Sequence, residues 1–333
     1  MKTVSIALTF ATLTTLGGCM TITPATAPVT PPETQYDARI VEASTGRQLS
    51  IEALADQLVT TDVVVVGEYH GHHGSHLLQS QLQRALFQLR PKQVLTMEQF
   101  DLAHQAELDL YMAGKTGETE MIEDAGAWDN YRASYRPLVE FARTHKVPLV
   151  AANAPAQIVR CVGRMGPAYL DKLGAGIRAR LPEQPFIDTP GYSEKFVQAI
   201  TGSHGTGDPA ISERMNNTYR AQLLRDNTMA ARILEARETH PGHQILHLTG
   251  TFHSEGRLGT VALLTRRAPD LSVAVITPAF WTTSDKGIPL EDRRGEGDYL
   301  YFIQPLPDEY RDEEREREAM KARFSRPATQ NCD

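Results

Sequence analysis

The chain has 333 residues, 41% of them hydrophobic and 23% charged, with a formal net charge of −7 and a pI of about 5.9. That balance shows no concentrated basic patch and argues against nucleic acid as a partner, because phosphate binding needs clustered Lys and Arg. Three cysteines without a CxxC pair leave no cysteine-rich metal cluster, and the length suits one large α/β domain or a core domain carrying a helical insertion.

The chain begins with Met1, Lys2 and an apolar stretch from Val4 to Leu16, followed by "LGGCM". One positive charge, a short apolar segment and small residues before a cysteine make the layout of a secretory signal. The stretch is shorter than the ~20 residues of a spanning helix. "LGGC" resembles a bacterial lipobox, which implies removal of residues 1–18 and lipidation of Cys19. Several acyl chains, at ~0.8 kcal/mol per buried CH₂, would hold such a chain firmly on a membrane. Met20 stands where an aspartate would favour inner-membrane retention, so the expected address is the outer membrane, facing the periplasm. Residues 19–38, with "TPATAPVTPPET", read as a stiff Thr/Pro-rich tether. Cys161 and Cys332 are left free or, in an oxidising compartment, paired.

Residues 39–305 carry the expected α/β domain. "DVVVVGE" (62–68), "QVLTMEQ" (93–99), "VPLVAAN" (147–153), "QILHLTG" (244–250), "LSVAVITP" (271–278) and "DYLYFIQP" (298–305) read as strands. Runs apolar on both faces suit a mainly parallel sheet covered by helices. Between the first two strands, Leu77, Leu78, Leu82, Ala85, Leu86 and Leu89 mark a helical face that Pro91 stops. "RPLVEFARTHK" feeds the third strand in the same way. Stretches 101–135 and 166–232 read as helical insertions roofing the carboxyl ends of the strands, and 306–333 as a charged tail.

Ligands of open parallel sheets bind beyond the carboxyl ends of the strands. The residues just past these strands are Glu68 and His70, then Glu98, Asn153, and finally Gly250 and His253. "GEYH" (67–70) and "GTFH" (250–253) repeat one pattern, a glycine for the sharp exit and an imidazole three residues on. His72, His73 and His76 crowd the first of these turns. His247, between Leu246 and Leu248 inside a strand, reads as a core histidine. Gln222 and Asp226, four apart, share a helix face that can point at the rim. Glu68 and Glu98 are either metal ligands or structural carboxylates paired with Arg160 or Arg225.

"GEYHGHHGSH" resembles the Gly-Glu-x-His-x5-His signature of the ChaN-like haem-binding lipoproteins, related to the Tiki and TraB proteins and distantly to erythromycin esterases. "MEQF" (97–100), "WDNYRASYRP" (128–137), "AANAPAQIVR" (151–160), "AQLLRDNTMA" (221–230) and "GTFH" resemble the family's further blocks, in its order. "HGHHG" departs from the pattern in its surplus of histidine, which leaves the ligand assignment within it open. The resemblance implies haem binding in iron uptake, with His70, His72, His73, His76, Trp128, Tyr131, Tyr135, Asn153, Arg160 and His253 as haem-contacting residues and a homodimer that shares the haem. Trp128, Tyr131 and Tyr135 read equally as core aromatics of the roof, and tyrosine can ligate haem iron as a phenolate. The alternative is a hydrolase using a divalent ion such as Zn, Mn or Co. His70, His253 and one or both of Glu68 and Glu98 are then the ligands, with a remaining carboxylate as the general base.

Overall fold

The computed structural model describes residues 30–201, 209–282, 284, 285, 287–325 and 332; Cys19 and most of the expected tether lie outside them. Six of the eight strands coincide with the apolar runs of the sequence: β3 (Val63–Glu68), β4 (Gln93–Asp101), β5 (Leu149–Asn153), β6 (Gln244–Gly250), β7 (Val273–Phe280) and β8 (Tyr299–Ile303). All six run parallel. A short antiparallel pair that the apolar pattern did not reveal, β1 (Arg39–Glu42) and β2 (Gln48–Leu49), adds to the edge of β8. The order is β2-β1-β8-β7-β3-β6-β4-β5.

The central strands are apolar on both sides because both faces are covered. Val64 and Val66 pack with α1 (Ile51–Leu58) and α2 (His73–Leu89), while Val63 and Val65 belong to the cluster on the opposite face. Each such burial is worth about 1.5–3 kcal/mol. On α2 the buried apolar residues are Leu78, Leu82, Ala85 and Leu86. Leu77 and Leu89, assigned to that face from the sequence, are exposed instead. The 100° step per residue turns Leu77 past the edge of the stripe, whereas Leu89 stays in line with it and is exposed as the last residue of α2.

Helices α3 (Gln105–Met112), α4 (Glu118–Asp124) and α5 (Tyr131–Ser134) fill the first helical stretch, and α6 (Arg136–His145) leads into β5. After α7 (Ala156–Met165) the second stretch carries the short α8 (Ala175–Arg178), α9 (Tyr192–Thr201) and α10 (Pro209–Thr239). Helix α10 runs past residue 232 and lays Ala230 and Ile233 on the sheet beside Val261 and Leu264 of α11 (Thr260–Arg267). Cys161 of α7 is disulfide-bonded to Cys332, beyond the tail helix α12 (Glu313–Ser325). The free edge of β5 is capped by side chains: Gln105 accepts from the Ala151 amide (2.8 Å) and donates to the Leu149 carbonyl (3.0 Å), and Arg232 donates to the Ala151 carbonyl (3.2 Å). Such capping blunts an edge that would otherwise template pairing with another chain. Among the described residues no helix is long and apolar enough to cross a membrane.

Candidate functional site

Register sets the site. β6 lies between β3 and β4, with Glu68 beside Gly250 and Met97 beside Leu248. Glu68, Glu98 and Gly250 therefore reach one rim at the carboxyl end of the sheet.

Past β3 the chain reverses at Gly71, whose φ of +80° lies in the left-handed region. The His72 amide bonds the Tyr69 carbonyl at 3.0 Å. The four histidines of this turn go to four different places. His72 caps α2, accepting from the Gly74 amide at 3.1 Å, and donates to the Gln304 carbonyl at 2.7 Å. Burial pushes its pKa down, so it is a neutral structural residue. His76 is buried, accepting from the Gly71 amide at 3.1 Å and donating to Gln79 Oε1 at 3.1 Å. His73 is exposed and stacks on Tyr36 at 5.4 Å. Of the four, His70 reaches the rim, with 44% of its side chain exposed.

The Glu68 carboxylate orients His70. Its Oε1 meets His70 Nδ1 at 2.7 Å and accepts from the Tyr135 hydroxyl at 2.6 Å and Gln99 Nε2 at 3.2 Å. Gln79 Nε2 donates to Oε2 at 2.7 Å. All these partners are buried apart from the imidazole itself. With Nδ1 engaged, His70 Nε2 is left without a protein hydrogen bond among the described residues and lies over bare Gly250, where a Cβ would stand 2.8 Å from it. Trp128 meets the ring edge-on, 4.9 Å between centroids.

A second network lies on the opposite face of the sheet. Glu98 Oε2 accepts from Thr249 Oγ1 and the Gly250 amide, both at 2.7 Å, and its Oε1 is 3.5 Å from His253 Nε2. His253 Nδ1 is 2.8 Å from Asp226 Oδ1, and Asp226 also accepts from Tyr192 (2.5 Å) and Thr260 (2.8 Å). Gln222 brings Nε2 within 3.1 Å of His253 Nε2, so the pair Gln222 and Asp226 does face the rim. The roof holds this loop in place, with Lys195 Nζ of α9 donating to the carbonyls of Phe252 (3.1 Å) and Glu255 (3.0 Å).

Electrostatics join the two halves across Gly250. Burial would raise the Glu98 pKa, but His253 and His70, with the Gly250 amide and Thr249 hydroxyl, bring it down to about 2. Burial opposes charge on His253 as well, yet Asp226 and Glu98 raise its pKa above the ordinary value. At His70, burial is outweighed by the Glu68 hydrogen bond and the Glu98 charge, and its pKa also rises.

The remaining expected residues fall into two groups. Asn153 supports the site from below, donating to the Glu98 carbonyl at 3.0 Å. Tyr135 is a buried donor to Glu68, and Tyr131 is buried beside Phe100 with its hydroxyl unpartnered. Burial raises both phenol pKa values, which disfavours a phenolate at either position. Arg160 is exposed on α7. His247 is buried, bonded to Thr96 Oγ1 at 2.9 Å, and burial lowers its pKa to about 4, in keeping with a core residue. Glu68 and Glu98 are held by hydroxyl, amide and imidazole groups rather than by Arg160 or Arg225. His70 pairs with Glu68 and His253 with Glu98 in two networks on either side of Gly250; among the described residues no group of three or more His, Cys, Asp or Glu is arranged to hold a metal ion.

Sequence reasoning missed Gln79, Gln99, Tyr192, Thr249 and Thr260. The available signal was weak: Gln79 and Gln83 are polar residues within the apolar stripe of α2, where a buried amide requires a partner.

The gap at Gly250 yields a direct test. In Gly250→Ala the new methyl meets the end of a movable ring, so unfolding stability should change by less than about 1 kcal/mol. The imidazole NMR signals of His70 should shift as the ring leaves its place. Unchanged His70 signals would show that the close approach has no bearing on its position.

The family profile described as haem-binding uptake, Tiki superfamily, ChaN matches residues 54–264, well over half of the chain. In fold the chain is similar to a solved structure described as cofacial heme binding to ChaN of Campylobacter jejuni, at 16% identity over 83% of this chain and 100% of that one, with a TM-score of 0.62. Looser similarities join it to an erythromycin esterase in its open conformation (14% identity, 86% of this chain and 87% of that one, TM-score 0.44) and to a Bacillus cereus protein (11%, 77% and 92%, 0.44). No curated protein matches it. The profile begins before the first Gly-x-aromatic-His turn and ends after the second, and the chain belongs to the ChaN-type haem-binding uptake family of the Tiki superfamily.

Proposed function

We propose that this chain is a lipid-anchored envelope protein that binds haem at the sheet rim, with the His70 side of the site facing the iron. One observation carries the reading. His70 has Nδ1 fixed by a buried carboxylate and, among the described residues, no hydrogen bond at Nε2, on a ring open to solvent and flanked by Trp128. Imidazoles that ligate metals commonly donate their other nitrogen to a carboxylate, which sets tautomer and orientation. When bound, haem would supply an iron that accepts an axial nitrogen. The chain's part is to orient His70, to offer Trp128 as an apolar wall, and to leave His73 exposed at the start of α2. The half-exposed His70 ring leaves part of such a ligand uncovered, which supports a second copy of the chain as the other wall.

The alternative of a divalent-ion hydrolase has less support. The carboxylates it would use are already engaged by Tyr135, Gln79 and Gln99 at Glu68, and by Thr249 and the Gly250 amide at Glu98. The experiment is the metal content of protein purified without added haem, followed by a haem titration read by absorption. Saturable binding with a Soret band is expected. No saturable binding, together with one tightly held Zn, Mn or Co, would replace the haem reading with the hydrolase. For the anchor, Cys19→Ser should release the protein to the soluble periplasm or leave it unprocessed. Unchanged processing and outer-membrane recovery would end the lipoprotein reading.

A further inference from the structure

Arg225 stands on α10, one turn past Gln222 and next to Asp226, the two residues that grip His253 at 3.1 and 2.8 Å. It is half-buried. A guanidinium carries five N–H donors in a rigid plane, yet among the described residues Arg225 makes no hydrogen bond or ion pair. Nearby carboxylates do not take it up, because each already has its partners. Glu68 holds Tyr135, Gln79, Gln99 and His70; Glu98 holds Thr249 and the Gly250 amide; Asp226 holds Tyr192, Thr260 and His253. Three residues apart on α10, Gln222 and Arg225 are neighbours on the helix surface, which sets Arg225 beside the residues that hold His253.

A half-buried cation left unpaired beside engaged carboxylates lacks an anion. We propose that Arg225 is the anion anchor of the site and takes a carboxylate of the ligand as a bidentate pair. A planar fork suits a carboxylate better than a point charge does. On the haem reading, on which the identity of this carboxylate rests, the group is a propionate. Iron and anion are then held by different elements: His70 follows β3 and Arg225 belongs to α10. The pair would also fix which edge of the porphyrin enters first.

The test titrates the full chain with four porphyrins: haem, haem dimethyl ester, iron-free protoporphyrin IX and its dimethyl ester. Wild type, Arg225→Ala and Arg225→Lys are compared, with thermal melts as the check on folding. Free acids should bind wild type about tenfold or more tightly than their esters, the scale of a charge-assisted bidentate pair. Arg225→Ala should abolish that preference while leaving ester binding unchanged, and Arg225→Lys should restore part of it. Equal binding of acids and esters by wild type would overturn the anchor, and this comparison needs no variant. A loss in Arg225→Ala that is the same for acids and esters would also overturn it, by showing a packing role. If protoporphyrin discriminates but haem iron adds nothing to affinity, the anchor stands and the axial role of His70 falls. If no porphyrin binds, both readings fall.

Discussion

Replacing Glu68 with alanine should lower the free energy of unfolding by about 3–5 kcal/mol, the range for breaking a buried charged network. The carboxylate accepts from Tyr135, Gln79 and Gln99 and meets His70, and the three donors other than His70 come from buried residues. Alanine leaves those donors without an acceptor, each at a penalty of about 1–3 kcal/mol, and water has little access to compensate. Glu68→Gln keeps the volume but turns an amide N–H₂ toward donors, so it should fall between wild type and Glu68→Ala. Equilibrium denaturation with unchanged slope would measure the loss. A loss under about 1 kcal/mol in Glu68→Ala would mean that the network is not closed to water.

The second large effect is a dependence on acid. The folded pKa of Glu98 is held near 2, below its ordinary 4.5. A depressed carboxyl contributes stability that is present above its unfolded value and is lost as pH falls through the folded one. Wild type should therefore lose on the order of 3 kcal/mol between about pH 4.5 and pH 2 from this group, at 1.36 kcal/mol per unit. His253 works in the opposite sense. Its raised pKa contributes stability below the ordinary histidine value of 6.5, and that contribution fades as pH climbs through the folded value. Glu98→Gln should be less stable than wild type at pH 6, with the gap closing toward pH 2. A gap that stays constant across that range would show that the Glu98 charge contributes nothing to the fold.

The core and the place of the site were legible because the physics behind them is local. Four valines ending in Gly67, and "QILHLTG" ending in Gly250, declare buried parallel strands with sharp exits, and ligand rims follow from that topology. What could not be read was orientation. Whether His70, His72, His73 or His76 faces the rim depends on the left-handed turn at Gly71 and on Gln304, more than two hundred residues away, which claims His72. Gln79, Gln99 and Thr249 are unremarkable in sequence and gain their roles through register, since Glu68 and Glu98 point to opposite faces of the sheet. The β1–β2 pair was too short to show a period, with a ladder of two residues. Leu77 and Leu89 looked like core because a linear pattern marks the helix stripe without its edge, where Leu77 lies, or its end, where Leu89 lies.

The central claim is that the half-exposed His70, and not the buried His253, faces the iron. Haem titrations of His70→Ala and His253→Gln, read at the Soret band, test it most directly. Loss of one axial ligand leaves the porphyrin's apolar contacts in place, so His70→Ala should retain weakened binding with a shifted band, and His253→Gln should keep the wild-type band. A wild-type spectrum in His70→Ala with binding abolished in His253→Gln would contradict the account.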